Sequence, residues 1–514
     1  MTPFPWLTLL TFVPVVGAVV VLLFGRRGAR PIAIGFAVLS LLVTLVLWRG
    51  FNHASGDLQF VETHAWIPSL GVQYHLGIDG LSLLMLILSA IVTLIGMAAS
   101  ASIEKRVPSY YALVLLLQAC LFGTFTAVNF IHWFLFWELA LVPAFFLIAL
   151  WGGERAKPAA MQFLVYTMVG SVAMLLTFLA LYFSTHTFEF AELARLTQSG
   201  QLMPVVNAAL GGHWITAPHL AALLFAGAFL GFAVKVPAYP FHTWLPAAYS
   251  EAPSGTTAIL TGAMSKMGLF GFARILLPVF WPEMQRFATM LLWIGVATIV
   301  LSAFAALAQK DLKRIFAYSS INHLGFCLLA IFAVARFSGS GALADEQYAA
   351  MNGVFLQMFN HGLTAATLFW FMAMLEQRSG GRRGLDDFGG LRKIMPVFAG
   401  LMGISVFSSL GLPGLNGFPG EFLLFKGTFP LATWSTALAL LGLLATALFL
   451  LRILQRVFSG PLNPRWATMP DLSTRERVLL VPSIALMFVL GLYPQLILVF
   501  VNSTAIHLVQ GLHL

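Results

Sequence analysis

Six side chains that can gain or lose a proton stand inside long apolar stretches of this 514-residue sequence. A charge at the centre of a bilayer costs at least about 2.5–3.5 kcal/mol on insertion scales, so such residues are candidates for function. Carboxyl, amine and imidazole groups in a low-dielectric environment can each hold and release a proton near neutral pH. The pattern therefore indicates a proton relay made of Glu138, Lys235, Lys266, His323, His361 and Glu421.

A static role is the alternative for each of these residues. A histidine in an apolar helix is often a hydrogen-bonded core residue, and Glu138 with a lysine can form a buried ion pair that fixes helix packing. Such a packing role needs one pair, whereas the six residues fall in six different apolar stretches and mix acids, amines and imidazoles. The distribution favours the relay.

The composition limits the class of protein that can carry these residues. Apolar residues make up 59% of the chain and charged residues only 9%, against about 25% charged residues in a typical soluble domain. We therefore expect an all-α integral membrane protein that faces lipid and binds no nucleic acid, in which the net charge of +9 reflects topology. Cys120 and Cys327 give no disulfide or metal-ligand spacing, and no phosphate-binding loop for ATP is present.

The apolar stretches predict about fourteen transmembrane helices. The first runs from Phe4 to Phe24 and ends at Arg26 and Arg27, which is the reverse of a secretory signal, so it is expected to be retained. The predicted ranges are 4–24, 31–51, 78–100, 109–128, 130–151, 158–184, 217–237, 253–279, 284–308, 313–335, 350–376, 394–427, 431–457 and 478–503.

The distribution of basic residues tests this helix count. With the N-terminus outside, alternate loops that should face the cytoplasm hold 20 lysines and arginines, and the outer loops and helix ends hold five. Cytoplasmic loops carry such an excess, and one missed helix would scramble the alternation. The sequence therefore predicts both termini on the outer face of the membrane.

Two of the predicted helices contain proline-rich interruptions. The seventh runs into 235–240 (KVPAYP), and the twelfth contains 412–420 (LPGLNGFPG), so both should be broken, because proline removes a donor and clashes with the preceding turn. The breaks lie five helices apart, which predicts two inverted repeats with a site near the bilayer midplane. The predicted units are 1–108 (helices 1–3), 109–280 (helices 4–8), 281–458 (helices 9–13) and 459–514 (the last loop and helix 14).

Several motifs resemble those of the antiporter-like subunits of respiratory complex I, the proton-pumping NADH-quinone oxidoreductase. The resemblance spans nearly the whole chain, and it is carried by Tyr74–Ser82 (YHLGIDGLS), Phe136–Glu138 (FWE), Lys235–Pro237 (KVP), Phe241–Pro246 (FHTWLP), Glu251–Pro253 (EAP), Lys266 with Gly271–Arg274 (GFAR), Asn322–Gly325 (NHLG), Asn360–Gly362 (NHG) and Phe418–Phe422 (FPGEF).

Within that family the sequence is most similar to the M-type subunits, the equivalents of mitochondrial subunit 4. M-type subunits have a glutamate in helix 12, matching Glu421, where L- and N-type subunits and the D subunit of Mrp Na⁺/H⁺ antiporters tend to have lysine. The chain also stops after the predicted helix 14, without the long lateral helix of L-type subunits. Lys426, five residues after Glu421, either pairs with it or extends to the membrane surface.

The resemblance implies a role for each candidate residue. Glu138 and Lys235 would form the input pair, Lys266 and His323 would connect the halves with His361 as a secondary candidate, and Glu421 would release the proton. The chain would hold no cofactor or metal of its own. FMN, iron–sulfur clusters and quinone would lie in partner subunits, and L- and N-type neighbours would flank the chain in the bacterial inner membrane.

One motif departs from the family pattern. Family members commonly read Leu-Pro-Asp-Ala-His where this chain has Leu245–Tyr249 (LPAAY), so an acid and a histidine are replaced at Ala247 and Tyr249. Proton access there would then differ, or the chain would belong to a divergent complex. The alternatives are the D-type subunit of an Mrp antiporter, the homologous subunit of a membrane-bound hydrogenase or of a ferredoxin- or carbon-linked complex, and a structural spacer with static charges.

Overall fold

The fold was analysed in a computed structural model that describes residues 4–211, 215–337 and 341–512. Helices dominate this part of the chain, as predicted from the composition. Ten of the described helices, or eleven if one bent pair is counted as a single span, are long and apolar enough to cross a membrane. The expected class of an all-α multi-pass membrane protein is confirmed, while the count of fourteen spans stays a prediction.

The N-terminal part differs from the sequence prediction in one place. The first two predicted helices lie within one element, α1 (Trp6–Gly50), and are separated by a kink where Gly25, directly after the predicted end of the first helix, adopts φ 66° and ψ −162°, a conformation that glycine reaches without a Cβ penalty. An antiparallel hairpin of β1 (Gln59–Ile67) and β2 (Val72–Ile78) follows. The short strands between two long apolar stretches were not predicted.

The next helices match the predicted third to sixth helices closely, and one of them is split. The predicted fifth helix is divided at Ala140 into two segments, and two short helices follow α6. The elements are α2 (Gly80–Ala99), α3 (Val107–Thr126), α4 (Phe130–Leu139), α5 (Leu141–Trp151), α6 (Ala156–Thr185), α7 (Phe190–Gln198) and α8 (Leu202–Leu210).

The predicted break of the seventh helix lies directly after Lys235. The helix resumes at Trp244 after eight intervening residues, and the predicted eighth helix contains two π-helical turns, Leu260–Met264 and Phe272–Leu276. The α-helical segments are α9 (Ala217–Lys235), α10 (Trp244–Glu251), α11 (Ser254–Ile259), α12 (Ser265–Gly271) and α13 (Leu277–Val279).

The C-terminal half contains the second predicted break, between α18 and α19. The last predicted helix is also bent, because its two segments meet at 64°. The elements are α14 (Trp281–Arg286), α15 (Ala288–Ala308), α16 (Leu312–Arg336), α17 (Ala344–Ser379), α18 (Pro396–Ser409), α19 (Gly417–Leu431), α20 (Thr433–Ile453), a π-helical turn (Leu454–Phe458), α21 (Thr474–Leu492) and α22 (Gln495–Gln510).

Burial separates the helices that form the centre from those that face outward. In the most apolar stretch of α16 and of the segment 254–279, 94% of the residues are buried inside the protein. In the most apolar stretch of α6 and of the segment beginning at α20, only 39% are buried. Lys266 and His323 lie on the two central elements. Side chains that the sequence placed in the membrane therefore face other helices, as polar groups in a membrane protein must.

Candidate functional site

Lys266 lies at the centre of the molecule and is fully buried. Its Nζ atom donates to the backbone oxygen of Thr261 at 2.5 Å and lies 3.3 Å from the hydroxyl of Ser265. The same Nζ lies 2.8 Å from Nδ1 of His361 on α17. The π-helical turn Leu260–Met264 directly precedes α12, and such turns are frequent at functional sites.

Two glycines allow this contact between Lys266 and His361. A Cβ at Gly362 would lie 2.5 Å from the backbone oxygen of Gly262, and a Cβ at Gly262 would lie 3.1 Å from that of Gly362. The two backbones therefore approach more closely than helices with larger residues can. The approach brings the imidazole of His361 to the lysine.

His361 continues the polar path to the second helix break. Its ring centroid lies 5.2 Å from that of His323 on α16, and Nδ1 of His323 lies 3.2 Å from Oε1 of Glu421. Ser409 Oγ lies 3.2 Å from the other ring nitrogen of His323, and Gln357 Nε2 donates to Glu421 at 3.3 Å. Lys266, His361, His323 and Glu421 thus form a continuous row of titratable groups.

A small cavity lies inside this row. Its volume of about 10 Å³ is at the lower limit of the cavity volume that can hold one water molecule, and both histidines, Gln357, Asn360 and Glu421 are among the lining residues. The side-chain oxygens of Gln357 and Asn360 are buried without a hydrogen-bond donor in the described structure. Two orphaned acceptors beside a water-sized space favour a bound water at this point.

Hydrogen bonds hold the break between α18 and α19 in place. Ser408 Oγ donates to Asn416 Oδ1 at 2.5 Å and lies 2.9 Å from the hydroxyl of Thr364. Asn360 and Asn416 exchange bonds between their amide groups and backbone oxygens. Because lipid cannot satisfy exposed backbone groups, an interruption at membrane depth needs such protein partners.

Lys235 lies at the first helix break, in an environment with far fewer polar groups. It is the last residue of α9, its Nζ is buried without a hydrogen-bond partner in the described part of the chain, and this Nζ lies 4.7 Å from the ring centroid of Trp137. Trp137 in turn donates its indole N–H to Ser171 at 2.9 Å. The closest polar interaction of this lysine is therefore with an aromatic face.

Glu138 is adjacent to this lysine but does not form the expected direct pair. No ion pair within 4.0 Å joins these two described residues. The carboxylate oxygen Oε1 of Glu138 is buried without a hydrogen-bond donor among the described residues. The assignment of an input pair stays a prediction, with a gap between its members.

A second water-sized cavity separates Lys235 from the Lys266 row. Its volume is about 10 Å³, and it is lined by Lys235, Tyr249 and Ser265 together with apolar side chains. Ser265 also contacts Lys266. A water in this space would link Lys235 to Ser265 and, through Ser265, to Lys266.

The structure adds contacts that the sequence analysis did not assign. Gln357 and Ser409 hydrogen-bond within the row at Glu421 and His323, and Ser265 lies between the cavity and Lys266. Gln357 precedes His361 by four residues and so shares its helix face. This spacing could have identified Gln357 from the sequence. Lys426 is exposed, and the contacts of Glu421 described here involve His323 and Gln357 instead.

The described residues contain no group of three or more histidine, cysteine or acidic side chains that could hold a metal ion. The row at Lys266 has amine, imidazole and carboxyl groups in sequence. Such a set suits proton transfer, because each group can accept a proton and release it to the next.

Known proteins give an independent comparison. A family described as the transmembrane region of NADH:quinone oxidoreductases and Mrp antiporters matches residues 127–448. The chain belongs to this family. An NADH-quinone oxidoreductase subunit M of Rhodobacter capsulatus is 34% identical over 99% of this chain and 97% of its own length. The corresponding subunit of Rickettsia bellii is 33% identical, with 97% of each chain covered.

Solved structures place this family member in the same fold. A chain of respiratory complex I from Thermus thermophilus superposes with a TM-score of 0.83 at 28% identity, covering 98% of this chain and 99% of that one. A chain of the Mrp complex from a Dietzia species matches with a TM-score of 0.82 at 20% identity, covering both chains fully, and shows the fold alone. The resemblance to antiporter-like subunits, including the M type, is confirmed.

Proposed function

We propose that this chain is the M-type proton-translocating membrane subunit of an NADH-quinone oxidoreductase. The observation that carries the proposal is the row Lys266, His361, His323 and Glu421, which crosses the buried centre of the protein with contacts of 2.8 and 3.2 Å at its ends. The full-length similarity to subunits named M supports the same assignment.

Each group has a role that its position supports. Glu138 and Lys235 take up a proton at the first break, and a water in the cavity beside Lys235 passes it towards Lys266. His361 and His323 carry it across, because an imidazole can accept a proton on one nitrogen and release it from the other. Glu421, at the second break, releases it. His361 is thus a full member of the row, beyond the secondary role that the sequence suggested.

The energy for transport would arrive from other subunits. Complex I couples quinone reduction to pumping, so this chain would act as one part of a translocase and perform no redox chemistry itself. FMN, iron–sulfur clusters and quinone would lie in partner subunits, and the absence of a cofactor in this chain stays a prediction. L- and N-type subunits would be its neighbours in a hetero-oligomer in the bacterial inner membrane.

The topology belongs to the same proposal. The helix breaks and the basic residues of alternate loops support the two inverted repeats, the domain boundaries, the fourteen spans and the outer location of both termini.

The D-type subunit of an Mrp antiporter is the main alternative, and a chain of an Mrp complex has an equally similar fold. The full-length similarity to subunits named M and Glu421, where the D type tends to have lysine, favour the NADH-linked complex.

Replacing the carboxyl groups at the two ends tests this proposal. Glu138→Gln and Glu421→Gln keep side-chain size but cannot release a proton, so each assembled complex in sealed vesicles should lose most NADH-driven proton uptake. Glu192→Gln, which alters an exposed pair with Arg195, is the control and should pump normally. Normal pumping by both assembled test variants would contradict the relay, and Na⁺-dependent pH changes without NADH would favour the antiporter.

A further inference from the structure

A second cluster of charged residues lies where α10, α16 and α17 end or begin. Arg383 Nε pairs with Asp311 at 2.6 Å, and its Nη2 lies 3.4 Å from Glu251. Lys313 and Glu376 complete this cluster, with Nζ and Oε1 separated by 3.8 Å. The cluster lies at the membrane face where the basic loops collect, which is the predicted cytoplasmic face.

Glu376 differs from the other carboxylates of the cluster. The shortest contact of its carboxylate in the described structure is with Ser254, whose hydroxyl donates to Oε2 at 2.5 Å. Lys313, its charged partner, directs its Nζ to the backbone oxygen of Ala252 at 2.5 Å. The Glu376 side chain is 22% exposed while Ser254 is buried. Glu376 thus connects solvent to a buried hydroxyl, whereas Asp311 and Glu251 pair with Arg383 and tie helix ends together.

Ser254 begins a row of buried hydroxyls that leads to the centre. Ser254, Thr257, Thr261 and Ser265 follow at steps of three, four and four residues, so they share one face of the helical segment, and all four are buried. Each step rises about 4.5–6 Å along the helix, a gap that one water can bridge. The row ends at Ser265, 3.3 Å from the Nζ of Lys266.

Tyr249 supports the inner end of this row. Tyr249 is buried and its backbone oxygen accepts from the Thr257 hydroxyl at 3.0 Å, and Thr261 lies 2.8 Å from the hydroxyl of Ser320. Tyr249 also lines the cavity beside Lys235. The hydroxyl row therefore reaches Lys266 from the cluster without passing through Glu138 or Lys235.

We infer that Glu376 is a proton-uptake group of this chain and feeds Lys266 through Ser254 and the hydroxyl row. Glu376 takes a proton from bulk water. The carboxylic acid then donates to Ser254 while the serine gives its own proton inward, so at each hydroxyl one O–H bond forms as another breaks. One proton reaches Lys266, and Glu376 returns to its ionised form. This inference rests on the proposed relay function of Lys266.

Glu376→Gln tests the inference in the assembled complex in sealed vesicles. Glutamine keeps the hydrogen bond to Ser254 but cannot pass on a proton, so NADH-driven pumping should slow about tenfold, the lower part of the range for removing a positioned proton-transfer group because water compensates in part. Glu376→Asp should restore most of the rate. The matched control is Glu476→Gln, a carboxylate of similar exposure that pairs with Arg378 at 2.7 Å, and it should pump normally.

Ser254→Ala is the second test and decides the matter if Glu376→Gln does not assemble. It should slow pumping and raise the solvent deuterium isotope effect, whereas Ser379→Ala, a buried serine that donates to the Arg382 backbone oxygen, should do neither. Wild-type pumping by assembled Glu376→Gln or Ser254→Ala, or failure of Glu376→Asp to restore the rate, would overturn the inference. Glu421→Gln in the same preparation separates the Glu376 inference from the proposed relay. If Glu421→Gln pumps at the wild-type rate, the relay itself is refuted.

Discussion

The two helix breaks place a titratable residue in opposite environments. Glu421 lies among histidine, glutamine, serine and asparagine side chains that hydrogen-bond to it or to each other. Lys235 lies against the face of Trp137 and has no hydrogen-bond partner among the described residues. A connected polar network can pass a proton with small movements, while an isolated buried amine needs a water or a side-chain shift to exchange one. In the proposed relay, proton transfer at Lys235 is therefore expected to be slower than transfer along the row from Lys266 to Glu421.

The largest expected effect is a difference in thermal stability between variants of the two buried lysines, Lys266 and Lys235. Lys266→Met should abolish pumping and Lys235→Met should reduce it, because both remove a group of the proposed relay and the inferred input through Glu376 enters at Lys266. Only Lys266→Met removes the group that contacts His361 Nδ1, at a cost of about 1–3 kcal/mol for the buried nitrogen, whereas the Thr261 oxygen keeps the Ser265 hydroxyl as a donor. Thermal unfolding of the assembled complex should therefore occur at lower temperature for Lys266→Met and at an unchanged or higher temperature for Lys235→Met.

An equal fall in unfolding temperature for both lysine variants would contradict the comparison. It would mean that Lys235 has a partner comparable to that of Lys266. Lys426→Met, at an exposed lysine on α19, is the reference for replacing a lysine that is not part of the row, and it should leave both pumping and the unfolding temperature unchanged.

A smaller effect is expected where the backbone touches Glu421. Gly411 has φ +74°, and a Cβ there would lie 2.4 Å from Oε2 of Glu421. Gly411→Ala should cost about 1–2 kcal/mol of strain and push the carboxylate away from His323, so pumping should fall as well. Gly414→Ala has φ +92° with nothing near the added Cβ and should show the strain alone. Equal pumping by both variants, measured beside thermal unfolding, would show that the carboxylate position is not critical.

The smallest expected effect concerns one hydrogen bond in the network. Ser409→Ala removes the hydroxyl that lies 3.2 Å from His323, which is worth about 0.5–1.5 kcal/mol and should slow pumping a few-fold. Ser405, one turn earlier on α18, bonds only within its own helix to the Leu401 oxygen. Ser405→Ala should therefore pump at the wild-type rate, and a similar slowing in both would remove the special role of Ser409.

The sequence by itself determined the class of protein and predicted which buried residues could carry its chemistry. Charge-poor apolar stretches require helices in a bilayer, because each backbone group must be satisfied within its own segment. Charged residues inside them, such as Lys266 and Glu421, are rare enough to be recognised one by one, and prolines mark both breaks. Local pattern was less informative for the β1–β2 hairpin, whose short strands carry no strong hydrophobic period.

Only the tertiary structure decided which of these residues meet. Helix periodicity says which face a residue occupies but not which helix it faces, so the contact of Lys266 with His361, 95 residues away, depends on the close approach at Gly262 and Gly362. The same limit hid the distance between Glu138 and Lys235 and the bond between Glu376 and Ser254. A proton follows contacts of a few ångströms, and packing alone sets those distances.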